Sequence, residues 1–258
     1  IKEAESSTCP MTFDSIYEFA KTGDISGILP SIKQQVEYNS AISNEGLSND
    51  YGANIGRLLL LDDETPSLET KCKARAAAGS DARMSGCEMP VIINSGSGNQ
   101  GLAVSVPVVV YARENKISEE KLIRCLIVSN LLAIHQKTGI GRLSAYCGAV
   151  TAGAACAAAI TYMKGGSYEQ VCGTIVNTLG TVSGILCDGA KQSCAAKIAA
   201  ALDSALFSHE LAMDGNFFAG GDGVVKDDIE KTIAGIGVVA AQGMRKTDEV
   251  VLQVMLKD

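Results

Sequence analysis

Along most of this chain apolar side chains return every three or four residues, the spacing of a helix face, and a few stretches break that rhythm. The opening decapeptide IKEAESSTCP is polar and reads as loose chain. Thr12 or Asp14 then caps a helix running toward Gly23, and a second helical pattern covers Ser26 to Ser43, with Pro30 tolerated near its start. SNEGLSNDYG has loop chemistry, and Ser67 to Gly79 resumes helical spacing before stopping at a glycine. The segment Ser80 to Gly101, SDARMSGCEMPVIINSGSGNQG, is rich in Gly, Ser and Asn around one apolar run, Val91 to Ile93, and reads as a functional loop. The β-branched LAVSVPVVVYA after it predicts a strand, which Pro107 would confine to an edge, with a buried helix as the other reading.

From Ser118 onward the pattern is strongly helical. SEEKLIRCLIVSNLLAIHQK starts with a partial capping box, because Lys121 stands where a Glu would complete it. Four more helices are expected at about Ser144 to Lys164, Ser167 to Leu186, Gly189 to Met213 and Asp227 to Met244, then a short amphipathic piece from Thr247 to Leu256. The fold class that follows is mainly α: a helical bundle-like domain with a Gly/Ser-rich loop region and at most a few short strands. No repeat, linker or low-complexity segment divides residues 1–258, so a single domain is expected.

Leu143 to Met163 and Val171 to Cys187 carry no charge over about the length of a membrane span. Ala, Gly, Ser and Thr dominate both, so their transfer into lipid would be weak, whereas a bundle interior uses small residues for close backbone approach. The acidic balance, 29 Asp and Glu against 22 Lys and Arg, provides no basic stripe to displace counterions from nucleic acid or to hold an anionic membrane. Nine cysteines, an odd number in 258 residues, do not form a dense disulfide framework and suit a reducing cytoplasm. The first residue is Ile1, so a processed or truncated piece of a longer chain is expected.

Gly96, Gly98 and Gly101 spell a formal G-x-G-x-x-G, yet Pro90 upstream and a second proline downstream leave no βαβ unit around it. The better functional reading is a backbone nest, in which amides of a Gly/Ser turn with Asn94, Ser95, Ser97, Asn99 and Gln100 grip a small carboxylate; an ordinary tight turn is the alternative. Only two histidines exist, His135 and His209, both in helical segments, so an imidazole zinc site or a Ser-His-Asp triad is poorly supplied. Cys147, Cys187 and Cys194 stand in small-residue contexts at C-x39-C-x6-C spacing. Three thiolates can hold a soft metal or an iron–sulfur cluster and leave a position open for substrate, while buried packing is the competing explanation. Asp188-Gly189 breaks the helical pattern between the last two, and Cys147 begins a helix whose N-terminus favours a thiolate. Cys9, Cys72, Cys87, Cys125, Cys156 and Cys172 are assigned no chemistry.

SDARMSGCEMP, NSGSGNQG, RLSAYCGAVTAG and SGILCDGAKQSCAAK, with NEGL near Asn44 and Gly46, closely resemble the L-cysteine desulfidase family and, more distantly, the iron–sulfur L-serine dehydratase alpha chain. The resemblance runs in order from about Ser43 to the C-terminal helix. It implies a [4Fe-4S] cluster on Cys147, Cys187 and Cys194, and β-elimination from L-cysteine to sulfide, pyruvate and ammonia. L-serine is the alternative substrate, and a non-catalytic module that binds an amino acid or partner chain is the alternative function. Full-length members of the resembled family carry an N-terminal GCTEP-type motif that nothing here matches. The general base is therefore left unassigned, and the missing region, in the same polypeptide or a separate chain, is an expected partner. Its absence would expose an apolar face and promote homo-oligomers.

Overall fold

The computed structural model describes residues 11–61, 64–141 and 144–256; the IKEAESSTCP segment, with Cys9, lies outside them. Among the described residues the chain forms α1 (Phe13–Thr22), α2 (Leu29–Ser48), α3 (Ile55–Leu61), α4 (Leu68–Met84), α5 (Gly98–Glu114), α6 (Glu119–Ile140), α7 (Gly148–Met163), α8 (Tyr168–Thr181), α9 (Cys194–Met213), α10 (Ile229–Val238) and α11 (Arg245–Leu256). A π-helical turn, Val239–Gly243, joins the last two. No strand occurs among the described residues; two isolated bridges, Asn94 with Ser97 and Tyr146 with Leu186, are the extended pairings.

Local chemistry sets many of the starts. Thr12 and Ser15 form a reciprocal capping box on α1, Ser167 and Gln170 do the same on α8, and Ser67, Ser97, Ser118 and Asp228 each accept a first-turn amide of their helix. Burial sets the rest. Every residue of α7 is buried, as is almost all of α5, and the two pack together at the centre with α4, α6, α8 and α9 around them. Uncharged Gly/Ala/Thr sequence is thus bundle interior, and no helix of the described residues is long and apolar enough to cross a membrane. Gly46 on α2 lies against the Ala78 carbonyl of α4, closer than any side chain permits, and Gly153 on α7 leaves a Cβ only a tight fit against the Ala201 carbonyl of α9.

LAVSVPVVVYA lies in α5 as a helix, not an edge strand, because burial on every side erases both periodicities and Pro107 is accommodated by packing. Ser129 Oγ donates to Val104 O at 2.7 Å and Cys72 Sγ to Pro107 O at 3.4 Å, supplying donors from neighbouring helices around the proline. Helix α2 continues through SNEGLS to Ser48, overriding the expected loop, since Asn39, Ser43 and Gly46 face α4 and α5. Gly79 sits inside α4, not at its end. The α8 helix stops at Thr181 and α9 starts at Cys194, so Cys187 lies in an extended connection instead of ending a helix. The short α3 has no counterpart in the sequence reading.

Candidate active site

The N-termini of α5, α7 and α9 open onto one cavity of about 280 Å³. Its wall takes Ser95, Gly96, Ser97, Asn99 and Gln100 from the α5 entry, Cys147 to Ala149 from the α7 entry, and Cys187, Gly189, Ala190 and Cys194 from the α9 entry. Three positive helix ends favour anions there, and the lining among the described residues contains no carboxylate.

Backbone pairing brings the first two cysteines together. Cys147 N donates to Ile185 O at 2.9 Å and Cys187 N donates to Ala145 O at 2.6 Å, flanking the Tyr146–Leu186 bridge. The two thiols hydrogen-bond each other, which with burial pushes Cys147 far up; the same bond, helped by the Gly189 amide and Lys197, draws Cys187 down. The Gly189 amide and Lys197 thus favour a single negative charge on the Cys147–Cys187 pair. Cys194 opens α9 and holds its sulfur 3.6 Å from Gly189 O. The connection is clamped by Asp188, which pairs with Lys197 and, at 3.1 Å, with Lys191. Lys197 also donates to Leu186 O at 2.9 Å.

The Gly/Ser segment is a two-residue hairpin turn. Asn94 and Ser97 exchange backbone hydrogen bonds of 3.1 and 2.9 Å, and both tip residues have positive φ, Ser95 at 49° and Gly96 at 81°. The amides of Ser95 and Gly96 have no acceptor among the described residues. Ser97 caps α5, and Asn99 Oδ1 accepts from Arg83 at 3.2 Å. Asn94 is not on the cavity wall: its amide donates to Asn130 O and Oδ1 at 3.1 and 3.0 Å, so it holds the turn from behind. Gln100 packs on Gly148, where a Cβ would collide with its carboxamide, and Gln100 Oε1 and the Tyr146 hydroxyl are buried without partners. Both residues line the cavity, and their orphaned atoms are buried beside it, where a polar partner would satisfy them.

Lys137, near the end of α6, also lines the cavity and was not singled out by sequence. Burial lowers its pKa, with Cys187 and Cys147 opposing. Its position one turn from a helix end carries no motif; only its place in space reveals it. Both histidines lie elsewhere: His135 Nε2 pairs with Glu230 at 2.8 Å and His209 is in the core. Cys72 and Cys125 are pushed up to about 12 by burial, Cys156 is raised by the same cause, and Cys87 and Cys172 are half-buried, as packing thiols would be.

Among the described residues no group of three or more His, Cys, Asp or Glu converges as a site for a metal ion. A donor set of three thiols without carboxylate or imidazole fits an iron–sulfur cluster, whose thiolates attach to separate irons and need not meet at one atom. The orphaned Gln100 Oε1 and Tyr146 hydroxyl beside those thiols suit a substrate held next to such a group.

The family model for the serine dehydratase alpha chain matches residues 9–253. The UPF0597 protein of Treponema denticola is 76% identical over 255 residues, covering 97% of this chain and 59% of the relative. That of Lachnoclostridium phytofermentans is 54% identical over 242 residues, covering 94% and 58%. This chain thus spans less than two thirds of the length of these relatives. No solved structure matches it.

Proposed function

This chain belongs to the serine dehydratase alpha chain family, and from that premise we propose that it is the cluster-bearing part of a lyase that eliminates sulfide from L-cysteine. The observation that carries the reading is the convergence of Cys147, Cys187 and Cys194 on one cavity at three helix N-termini. These thiols would hold a [4Fe-4S] cluster, which when bound supplies an open iron as Lewis acid toward the leaving sulfur.

The chain's own residues bind and orient. Gln100 Oε1, buried and unpartnered, accepts a hydrogen bond from the substrate ammonium. Burial keeps the Tyr146 phenol protonated, so it is a donor beside the thiols. Asp188, held by Lys197 and Lys191, fixes the connection carrying Cys187 and Cys194. Loss of the α-proton and of HS⁻, protonated to H₂S, leaves 2-aminoacrylate; its imine tautomer adds one water and releases ammonia and pyruvate. The group that takes the α-proton is left unassigned.

The test uses the full-length protein, reconstituted anaerobically with iron and sulfide. Broad visible charge-transfer absorbance, together with equal yields of sulfide and pyruvate from L-cysteine, is expected. Pyruvate from L-serine with no sulfide from L-cysteine would make it a serine dehydratase instead. A folded sample that takes up no iron and turns over neither amino acid sinks the lyase reading; binding without turnover identifies a non-catalytic module.

A further inference from the structure

We infer that Lys137 is the residue that reads the carboxylate of the amino acid bound in this cavity. The inference rests on the proposed use of the cavity for an amino acid and adds how that class of ligand is selected.

Four observations carry it. Lys137 is the one Lys, Arg, Asp or Glu among the described lining residues. Its ammonium has no hydrogen bond or ion pair with any described residue, although the chain has more acids than bases to offer. It stands where two cavities adjoin: together with Ser95 and Gly96 it lines both the thiol cavity and an outer one bounded by Ile134, Thr138 and Gly141. The Ser95 and Gly96 amides on the shared wall lack acceptors. A half-buried cation with no carboxylate partner, on the same wall as two amides without acceptors and facing only the thiols for negative charge, fits a small anion such as a carboxylate.

The dimensions then orient the ligand. A carboxylate between Lys137 and the Ser95–Gly96 tip leaves the remainder of a small molecule in a cavity of about 280 Å³, with Gln100 Oε1 for its ammonium and the three thiols for its β-substituent. The site therefore selects α-amino acids and rejects their decarboxylated counterparts. The thiols themselves do not make that distinction, because L-cysteine and cysteamine carry the same sulfur.

The test is made on the full-length protein without cluster, by calorimetry and lysine labelling, and on the loaded enzyme by kinetics. L-Serine is expected to bind wild type and to bind Lys137→Met at least ten-fold more weakly, with Lys137→Arg between them. Ethanolamine is expected to bind all three equally poorly. In wild type, L-serine should protect Lys137 from an acylating reagent where ethanolamine does not, a readout independent of any variant's folding. In the loaded enzyme Lys137→Met should raise KM more than it lowers kcat. Equal L-serine affinity in wild type and Lys137→Met, or equal protection by ethanolamine, overturns the inference and leaves the amino-acid cavity standing. A wild type that binds neither L-serine nor L-cysteine overturns both.

Discussion

Acidification puts a proton on His209 in the unfolded chain well before the folded chain accepts one. The side chain is 2% exposed on α9, its Nδ1 lies 2.7 Å from Thr161 Oγ1, and Thr161 Oγ1 is 2.8 Å from Thr174 Oγ1. Burial is the main cause holding its pKa down to about 4, with Lys164 adding and Glu69 opposing. Because the folded value lies below the unfolded value of 6.5, the neutral imidazole's contribution is intact above about pH 6.5 and is lost as pH falls toward 4. The full window is worth about 3.4 kcal/mol, and the part lost between pH 7 and pH 5 is about 2 kcal/mol. Urea unfolding of wild type and His209→Gln at both pH values isolates this share, since carboxylate contributions are common to the two proteins and cancel. Wild type should lose about 2 kcal/mol more than the variant over that interval. Equal losses, or an NMR titration of the His209 ring centred near its ordinary value, would refute the argument from burial.

Three further changes test the packing and the site. Gly46→Ala drives a Cβ into the Ala78 carbonyl, a rigid helix backbone, and should lower stability by about 2 kcal/mol or more, read as a lower Tm. Gly148→Ala meets only the far end of the Gln100 side chain, so Tm should move little while KM for L-cysteine rises as the carboxamide is displaced. Cys194→Ala should abolish retention of iron after anaerobic gel filtration yet cost only about 1 kcal/mol in unfolding, and a variant that keeps its iron removes Cys194 from the ligand set.

The helices legible in the sequence were those with one apolar face and a polar start: Thr12, one of two candidates, and Ser118 are caps as expected, and Ser67 and Ser167 cap the helices expected to begin at them. Where both faces are buried, as in LAVSVPVVVYA, apolar periodicity vanishes and a strand and a helix read alike. The α2 extension through SNEGLS was hidden for another reason: its glycine serves a helix crossing, and such a use cannot be told from a loop glycine without the partner helix. At the site, the thiols and the Gly/Ser turn were visible as unusual local composition. That Lys137 lines the cavity and Asn94 lies behind its wall was not legible, because the side each occupies depends on α6 packing against the 94–97 turn.

The C-x39-C-x6-C interval acquires a meaning in the fold that spacing alone did not give it. From Cys147 the chain leaves the cavity along α7, returns along α8, and re-enters by the extended connection that pairs Ile185 and Cys187 with the residues around Tyr146. The long interval is therefore the length of a helical hairpin plus its return, set by the size of the bundle. The short interval is a turn clamped by Asp188, Lys191 and Lys197, and delivers Cys194 to the first position of α9. Each cysteine thus stands at or beside a helix start, where positive backbone ends favour thiolate and any anion brought next to it. The same field draws in a carboxylate, so the arrangement that would hold a cluster would also concentrate small carboxylates beside it.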